Sequence, residues 1–336
     1  MGRRRGSRAP GTVVVVTGAS SGIGRAVVRA FGGTGARVVV TARSTQALDS
    51  VTRECARAHP RAEAVAVTAD VTEAEAMDRV ARTAVDRYGR IDVWVNAAGV
   101  GILGRLDTVP PADLRRLWEV NVLGALYGAR AALPVMRRQG HGVIIDVASV
   151  LGGVIVAPYM GAYAASKAAL VTLDETLRQE LVAGGDRGIA VCTVLPTGVD
   201  TPFFEHAAHH TGRRLRSLPA VATPERVARA VLRTAARPRR RVAVGPGARM
   251  LPLAHLLAPG PLRAVIRYRT ERGYLDAPGT APDTTGRLYA PSADTAAVAG
   301  GRHARARTAV RRAAAATAVT AVGAGVLGAR SRSRCP

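Results

Sequence analysis

Short runs of β-branched residues alternate with longer stretches of helical spacing along the first 200 residues. The first run, Val13–Thr17, ends at Gly18, and the stretch Ile23–Phe31 then has the spacing of a helix. The apolar runs are nearly continuous, as in strands that are covered on both faces. The pattern predicts further strands at Arg37–Thr41, Ala64–Thr68, Ile91–Val95, Gly142–Val147 and Ile189–Val194, and further helices from Thr45 to about His59, at Ala74–Tyr88, around Pro111–Arg138 and at Ala162–Ala183.

Strands that alternate with helices in this way form a parallel sheet with helices on both faces. We therefore expect an α/β fold, a Rossmann-type doubly wound parallel sheet that forms a single catalytic domain with a basic C-terminal extension. The pattern changes after about Val244, where Gly245–Gly260 is rich in Gly, Pro and Leu and Ala277–Ser292 is irregular. The expected parts are a basic leader (1–10), a dinucleotide-binding catalytic domain (11–245), a Pro/Gly-rich extension (246–294) and a basic, Ala-rich tail (295–336).

The net charge of +24 is unevenly distributed along these parts. Residues 11–200 carry 20 basic and 18 acidic side chains, whereas residues 201–336 carry 24 arginines and six acids. The excess positive charge therefore lies outside the region that contains the candidate chemistry. Nucleic-acid binding is not favoured, because the basic residues lack interleaved aromatic residues and any known nucleic-acid-binding signature.

The three cysteines, Cys55, Cys192 and Cys335, are far apart and odd in number. They predict neither a disulfide framework nor a metal site, which fits a reducing compartment, the cytoplasm. The basic start of the chain is followed by only four valines, so no secretory signal is expected.

A glycine-rich turn stands between the first predicted strand and the first predicted helix. Glycines let the backbone approach a pyrophosphate closely, and the start of a helix offers free N–H groups and the positive end of its dipole. The strand–turn–helix context that a dinucleotide site requires is present. The turn reads Thr17-Gly18-Ala19-Ser20-Ser21-Gly22-Ile23-Gly24.

The residues after the second strand indicate which dinucleotide binds. A free ribose 2′-hydroxyl is usually held by an acid at this point, whereas a 2′-phosphate needs a cation. The chain offers Arg43 here and no acid until Asp49, and Arg25 lies in the helix after the glycine turn. We expect NADP(H) to be preferred over NAD(H), with Arg43 as a phosphate clamp. The alternative is that both arginines are solvated surface residues.

The cations of this chain are 47 arginines and a single lysine, Lys167, which follows Tyr163 by four residues. Residues at i and i+4 share one face of a helix. Lysine differs from arginine in being a compact ammonium on a flexible stem, so a narrow site could require it. A nearby ammonium favours the phenolate, which would bring the pKa of the tyrosine towards the range useful for acid–base catalysis.

Five motifs in order resemble the short-chain dehydrogenase/reductase family over about residues 11–245. They include the glycine turn, Asn96-Ala97-Ala98-Gly99 after the fourth strand, Ser149 at the end of the fifth strand, and Tyr163-x-x-x-Lys167. The glycine spacing is that of the family's single-domain oxidoreductases.

The resemblance implies four catalytic roles. Tyr163 would be the general acid/base that exchanges a proton with the substrate oxygen, and Ser149 would hydrogen-bond that oxygen. Lys167 would bind the nicotinamide ribose and lower the pKa of the tyrosine, and Asn121 would hold a water in a proton relay.

The resemblance also implies the cofactor-binding set and the assembly. Asp70 and Val71 would contact the adenine, and Pro196 to Thr201 matches the segment that grips the nicotinamide carboxamide through Val199 and Thr201. A homodimer or homotetramer is implied. The full cofactor-binding set is Thr17, Gly18, Ser20, Ser21, Gly22, Ile23, Gly24, Arg43, Asp70, Val71, Asn96, Ala97, Gly99, Tyr163, Lys167, Pro196, Val199 and Thr201.

Two departures from the family pattern affect the expected pocket. Ser149 and Tyr163 are one residue further apart than is usual, so the loop Val150 to Ala162 has an insertion, and Thr197 replaces the glycine that usually follows Pro196. Both changes could alter the substrate pocket without removing a catalytic group.

Other features allow more than one interpretation. Residues expected to include the substrate walls suggest an apolar carbonyl or alcohol, although most could be ordinary core. The histidines after Phe203-Phe204 are favoured as solvated or pocket-lining residues and not as metal ligands. The wall candidates are Leu103, Leu106, Leu151, Val154, Val156, Tyr159, Met160 and Phe203, and the histidines are His206, His209 and His210.

The C-terminal tail also remains open. Its uncharged stretch Ala313–Ala329, flanked by arginines, could lie on an anionic membrane or be a disordered or peripheral helix. Gly245–Ile266 could form a lid or add a membrane contact. The function expected is NADP(H)-dependent alcohol–carbonyl interconversion. The alternative is a non-catalytic NADP-sensing or scaffolding protein that is localised by its tail.

Overall fold

The structure is a computed structural model that describes residues 11–215, 221–291 and 297–301. The basic leader and the Ala-rich stretch of the tail lie outside the described residues. Within the described part of the chain, no helix is both long and apolar enough to cross a membrane.

Seven parallel strands form the central sheet in the order β3-β2-β1-β4-β6-β7-β9, and β5 and β8 form a separate two-stranded parallel ladder. The strand order reverses between β1 and β4, which is the switch point where such sheets bind ligands beyond the carboxyl ends of the strands. The strands are β1 Val13–Thr17, β2 Arg37–Ala42, β3 Glu63–Thr68, β4 Val93–Asn96, β5 Ile102–Gly104, β6 Gly142–Val147, β7 Ile189–Pro196, β8 Ala208–His210 and β9 Arg241–Val244.

Helices cover both faces of this sheet. The helices are α1 Gly22–Gly32, α2 Thr45–Ala58, α3 Ala74–Tyr88, α4 Pro111–Trp118, α5 Gly124–Gln139, α6 Val150–Gly153, α7 Gly161–Ala183, α8 Phe203–His206, α9 Pro224–Ala236, α10 Leu251–Leu257 and α11 Pro259–Tyr268, with π-helical turns at Glu119–Leu123 and Arg269–Tyr274.

The core consists of two layers that the sheet separates. Alternate valines of β1 point into opposite layers, with Val14 and Val16 in one and Val13 and Val15 in the other, and all four are fully buried. This arrangement explains why the strand sequence is continuously apolar, and it confirms the predicted doubly wound parallel sheet.

The predicted helix around Pro111–Arg138 is interrupted. A π-helical turn at Glu119–Leu123 separates α4 from α5. Single π-turns inside helices are rare and frequently lie at functional sites. This turn carries Asn121.

Candidate active site

Ser149, Tyr163 and Lys167 line one cavity of about 130 Å³ beyond the carboxyl end of the sheet. We call it the catalytic cavity, after the roles that the resemblance implies for these residues. Ser149 follows β6 and precedes the turn of α6, and its hydroxyl accepts a hydrogen bond from the Leu151 N–H at 3.1 Å. Tyr163 and Lys167 occupy the first two turns of α7 and are both buried. The structure therefore brings together three residues that are distributed over 19 positions of the sequence.

Burial controls the acidity of Tyr163. It raises the pKa of the phenol to about 12, while a hydrogen bond with Ser149 acts in the opposite direction. The Lys167 amine lies 5.9 Å from the Tyr163 ring centroid. The lowering of the tyrosine pKa that the sequence led us to expect from Lys167 stays a prediction. With a pKa of about 12, Tyr163 is a protonated acid at neutral pH.

Lys167 is held at the back of this cavity. Its ammonium donates a 3.0 Å hydrogen bond to the Val147 carbonyl oxygen. Burial lowers the pKa of Lys167 to about 8, against the opposing charges of Asp146 and Asp174. The side chain is therefore mainly cationic at neutral pH.

Asp146 and Asp174 form a buried pair of carboxyl groups behind Lys167. Burial and the neighbouring Asp146 raise the pKa of Asp174 to about 10. The Thr193 hydroxyl donates to Asp174 at 2.5 Å, and Asn96 donates to Asp146 at 2.7 Å. Because two adjacent buried carboxylates repel each other, the pair retains a proton at neutral pH.

The π-helical turn positions the Asn121 side chain between two segments. Its amide oxygen accepts from the Val100 N–H at 2.8 Å, and its amide nitrogen donates to the Val100 carbonyl and to the Ser166 hydroxyl. A Cβ placed on Gly99 would lie 3.4 Å from the Asn121 amide oxygen and 3.5 Å from the Lys167 amine. Asn121 and Lys167 therefore converge at Gly99.

A second cavity, of about 190 Å³, adjoins the first and is lined by the glycine turn. We call it the cofactor cleft, because the sequence predicts that this turn binds a dinucleotide. Gly18 adopts a φ of +66°, and a Cβ there would lie 2.6 Å from the backbone of Ala98. Only glycine allows the two loops to approach this closely. The expected cofactor-binding residues that line this cleft are Gly18, Ser20, Ser21, Gly22, Ile23, Gly24, Arg43, Asp70, Val71, Ala97, Gly99 and Thr201.

Thr17 and Asn96 do not line either cavity. The Thr17 hydroxyl accepts from the N–H groups of Ala97 and Ala98 at 3.2 Å. Asn96 donates to Asp146 and to the Ala125 carbonyl, and it accepts from the Trp94 indole. Buried polar groups need protein partners, and these two side chains position the loop that forms the cleft; their contact with a cofactor stays a prediction.

The acid that borders the cleft is already paired. Asp70 Oδ2 accepts from Arg116 at 2.5 Å, and its other oxygen accepts from Thr72. Burial alone would raise the pKa of Asp70, but the hydrogen bonds from Thr72 and Arg116 outweigh it and lower the pKa. The sequence pattern did not indicate that Arg116 pairs with Asp70.

Arg43 lies in the cleft, but its guanidinium is bound to a distant part of the chain. Nη2 donates to the Arg287 carbonyl at 2.7 Å, and Nη1 donates to the carbonyls of Leu288 and Tyr289 at 3.1 and 3.0 Å. Arg43 therefore holds the segment 284–289 against the cleft. The side chain of Arg287 itself lines the cleft, a contribution that the sequence did not reveal.

Several further contacts hold the 284–289 segment in place. Leu288 is fully buried beside Ile102 and Leu117. The Tyr289 hydroxyl donates to Asp113 at 2.7 Å. Burial of one leucine contributes about 1.5–3 kcal/mol, and each hydrogen bond to a charged group roughly the same amount. The 284–289 segment is therefore a fixed wall of the cleft.

A glycine permits the close approach of this wall. Gly286 has a φ of +53°, and a Cβ there would lie 2.4 and 2.5 Å from the carbonyl oxygens of His206 and Ala207. The following N–H, that of Arg287, donates to the His206 carbonyl at 2.9 Å.

A second C-terminal stretch reaches the glycine turn. The Gly22 N–H, the first of α1, donates to the Ala297 carbonyl at 3.0 Å, and the Gly300 N–H donates to the Asp200 carbonyl. A phosphate oxygen that binds at Gly22 would have to replace this carbonyl.

The end of β7 and the segment after it line the catalytic cavity. Pro196, Val199 and Thr201 lie around this cavity with Ile23. The Thr197 hydroxyl is buried and has no hydrogen-bond partner among the residues that the structure describes, and a Cβ on Gly245 would collide with it. Thr197, which replaces the glycine usual in the family, thus packs against Gly245 at the end of the predicted catalytic domain.

An apolar wall faces Tyr163. The Phe203 ring meets the Tyr163 ring edge-on, with centroids 5.3 Å apart, and Leu103 and Met160 pack in the same cluster. Two of the candidate wall residues, Leu106 and Val156, are instead 64% and 58% exposed.

The histidines of this region have different environments. His206 lines the cofactor cleft, and burial, followed by the charge of Arg287, lowers its pKa to about 4. His210 lies 2.8 Å from Asp113, and His209 lies 3.0 Å from the Phe204 carbonyl.

Among the residues that the structure describes, no group of three or more His, Cys, Asp or Glu could hold a metal ion.

The lengthened loop between Ser149 and Tyr163 is held by the C-terminal extension. Tyr159 has a φ of 62°, uncommon for a residue with a side chain. Its hydroxyl donates to Glu271 at 2.8 Å, and its carbonyl accepts from the Gly104 N–H at 2.8 Å. The loop conformation therefore depends on the π-helical turn after α11.

The known proteins that this chain resembles are dehydrogenases and other oxidoreductases. The family described as short chain dehydrogenase matches residues 12–212. An uncharacterized oxidoreductase of Bacillus subtilis (strain 168), YxnA, is 35% identical over 254 residues, which cover 74% of this chain and 69% of the relative. The 3beta-hydroxysteroid dehydrogenase 1 of Eggerthella lenta is 37% identical over 66% of this chain and 85% of its own. A solved alcohol dehydrogenase from the archaeon Thermococcus sibiricus, complexed with 5-hydroxy-NADP, aligns with a TM-score of 0.60 at 28% identity, covering 69% of this chain and 94% of that chain.

Proposed function

Because the chain belongs to the short-chain dehydrogenase/reductase family and is an oxidoreductase of that type, we propose that it interconverts an alcohol and a ketone or aldehyde with NADP(H). The observation that carries the proposal is the convergence of Ser149, Tyr163 and Lys167 on one cavity that adjoins the glycine-turn cleft.

Tyr163 is proposed as the group that exchanges a proton with the substrate oxygen. Its phenol is protonated at neutral pH, so it has a proton to donate during carbonyl reduction. Ser149, on the same cavity, would hydrogen-bond the substrate oxygen. Lys167 and Asn121, which converge at Gly99, would hold the ribose and a relay water.

The bound dinucleotide would supply or accept the hydride. The residues present fit such a cofactor, because the glycine turn lines an open cleft at the start of α1, and glycine at position 18 lets the 97–98 loop approach closely enough to form its other side. Its nicotinamide end would lie among Pro196, Val199 and Thr201, and its adenine end near Val71.

The preference for NADP(H) is proposed from charge. The cleft is lined by Arg43 and Arg287, and its bordering acid, Asp70, is neutralised by Arg116. A cationic lining favours a 2′-phosphate over a hydroxyl. The NADP-type cofactor in the related alcohol dehydrogenase structure supports the same assignment.

The substrate is proposed to be an apolar carbonyl or alcohol. Leu151, Met160, Phe203 and Phe204 line the catalytic cavity beside Tyr163. The steroid dehydrogenase among the relatives is compatible with such a substrate.

A homodimer or homotetramer and a cytoplasmic location remain proposals that follow from the family resemblance and from the free cysteines Cys55 and Cys192. Contact of the basic tail with an anionic membrane also remains a proposal, beside the alternative of a disordered or peripheral helix.

The test is NADPH oxidation by the purified protein against a panel of apolar aldehydes and ketones. We expect turnover with at least one of them, and loss of turnover in Tyr163→Phe. NADPH binding without turnover of any carbonyl would instead favour the alternative, a non-catalytic NADP-binding protein.

A further inference from the structure

Helices α10 and α11 present apolar side chains to solvent. None of their residues, all of which the structure describes, is buried. Leu256 and Leu257 are 76% and 73% exposed. We call the exposed apolar and basic side chains of this region the α10–α11 surface. Its apolar members are Met250, Leu253, Leu256, Leu257, Val265 and Tyr268.

The charge of this surface has one sign. The sequence contains no acidic residue between Arg241 and Thr270. Arg249, Arg263, Arg267 and Arg269 are exposed among the apolar side chains. An exposed apolar patch of this kind marks an interaction surface, and its partner must provide both apolar and anionic groups.

A second copy of the chain does not satisfy that requirement. In a two-fold dimer the same patch would meet itself, so the arginines would face arginines with no acid of the patch to pair them. An anionic lipid surface satisfies it, since phosphate headgroups pair with the arginines while the acyl region receives the leucines.

We propose that the α10–α11 surface binds the surface of an anionic lipid bilayer. The contact is peripheral, because the two helices span only Leu251–Leu257 and Pro259–Tyr268. Tyr268, at the end of α11, is a residue type enriched at membrane–water interfaces.

The surface adjoins the catalytic cavity. Leu251, the first residue of α10, packs on the buried cluster that contains Val150 and Leu195, and Val150 lines that cavity. Bilayer contact would thus place the substrate cavity close to the lipid. The lipid contact itself does not depend on the proposed catalytic activity.

The test is flotation of the full chain with phosphatidylcholine vesicles that contain or lack phosphatidylglycerol. We expect binding only to the anionic vesicles. The double variant Leu256→Glu/Leu257→Glu should weaken that binding at least about 10-fold, since each leucine loses its place in the acyl region. Arg263→Gln/Arg267→Gln should weaken it about fivefold per arginine.

The matched control is Val182→Glu/Ala183→Glu, which introduces the same two charges at adjacent exposed residues outside this surface, where Val182 is 60% exposed. It should bind anionic vesicles like the unaltered chain. Carbonyl reduction by the Leu256→Glu/Leu257→Glu variant on a water-soluble substrate should be unchanged, which shows that the variant is folded.

Two outcomes would overturn the proposal. One is equal vesicle binding by the Leu256→Glu/Leu257→Glu variant and the Val182→Glu/Ala183→Glu control, which would assign any membrane binding to the tail. The other is no binding of the full chain to anionic vesicles. If the glutamates instead change the molar mass in light scattering without any vesicle binding, the surface is an interface between copies.

Discussion

The guanidinium of Arg43 donates a 2.7 Å hydrogen bond to the carbonyl oxygen of Arg287, a residue 244 positions later in the chain. This contact makes the C-terminal extension part of the cofactor cleft, and it gives Arg43 a positioning role that the sequence did not indicate.

Arg43→Ala should therefore affect both stability and cofactor binding. Three backbone carbonyls lose a charged donor, so the free energy of unfolding should fall by roughly 1.5–3 kcal/mol. The Kd for NADPH should rise about 10-fold or more, and more than the Kd for NADH, as a charged contact to the 2′-phosphate is lost. Urea unfolding and fluorescence titration measure the two effects; equal losses for NADPH and NADH would argue against a phosphate contact.

The variant Arg287→Gln tests cofactor binding separately from stability. The wall is held through the backbone of residue 287, so the stability should remain within about 0.5 kcal/mol of the unaltered chain. NADPH affinity should nevertheless fall, because a cation that lines the cleft is removed. Unchanged NADPH affinity in this variant would leave Arg43 as the main phosphate contact.

Tyr163→Phe should lower kcat/KM for carbonyl reduction by about 10²–10⁴-fold, the usual contribution of general acid catalysis. The Kd for NADPH should stay nearly constant, because the ring and its contact with Phe203 are retained. Tyr88→Phe is the matched control: it removes a tyrosine hydroxyl in helix α3, away from both cavities, and should leave kcat/KM unchanged. Steady-state kinetics on both variants decide the role, and substantial turnover by Tyr163→Phe would refute it.

The rate of carbonyl reduction should depend on the protonation of Lys167. Its pKa of about 8 means that the ammonium is present below that pH and is lost above it. Because the pKa of Tyr163 is about 12, the acid itself remains protonated throughout this range. We expect kcat/KM to be level near pH 6–7 and to fall as pH rises through about 8.

Lys167→Arg tests the same point. Arginine keeps its proton over this range, so the basic limb of the pH profile should disappear. Its wide fork does not reproduce a compact ammonium, so activity should be low at every pH. Full activity in this variant would show that any cation suffices at position 167.

The buried acid pair predicts a second pH effect, on stability. The folded-state pKa of Asp174 is about 10, above its unfolded value, so this group's contribution to stability falls as pH rises from about 4 to 10. An amide does not titrate. The free energy of unfolding of Asp174→Asn should therefore rise relative to that of the unaltered chain as pH increases. The relative gain should reach roughly 1 kcal/mol or more at pH 9. Thermal unfolding between pH 5 and 9 measures the gap; the surface variant Asp78→Asn should show no such trend.

Local patterning predicted the elements around the site with good accuracy. The helix Ala74–Tyr88 and the strand Gly142–Val147 have the predicted bounds, because their apolar periodicity and their flanking residues agree with their surroundings. The sequence also indicated the residues that line the catalytic cavity, since each follows a strand or occupies the first turns of a helix.

Contacts between distant parts of the chain could not be predicted in this way. The π-helical turn at Asn121 is invisible to a period of 3.6 residues, and helix α9, strand β9 and the β5–β8 ladder were not predicted. The pKa of Tyr163 depends on burial, which a single sequence does not measure. The wall at Leu288 lies in a segment whose local pattern is irregular, and only its tertiary contacts order it.

Gly286 imposes an evolutionary constraint on this molecule. Because its left-handed backbone leaves no room for a side chain against His206 and Ala207, the extension and the 203–207 loop cannot diverge independently. A substitution that reshapes the 203–207 loop to admit a new substrate also shifts the support of Arg287. Among descendants of this chain, changes of substrate and changes of cofactor affinity should therefore be inherited together.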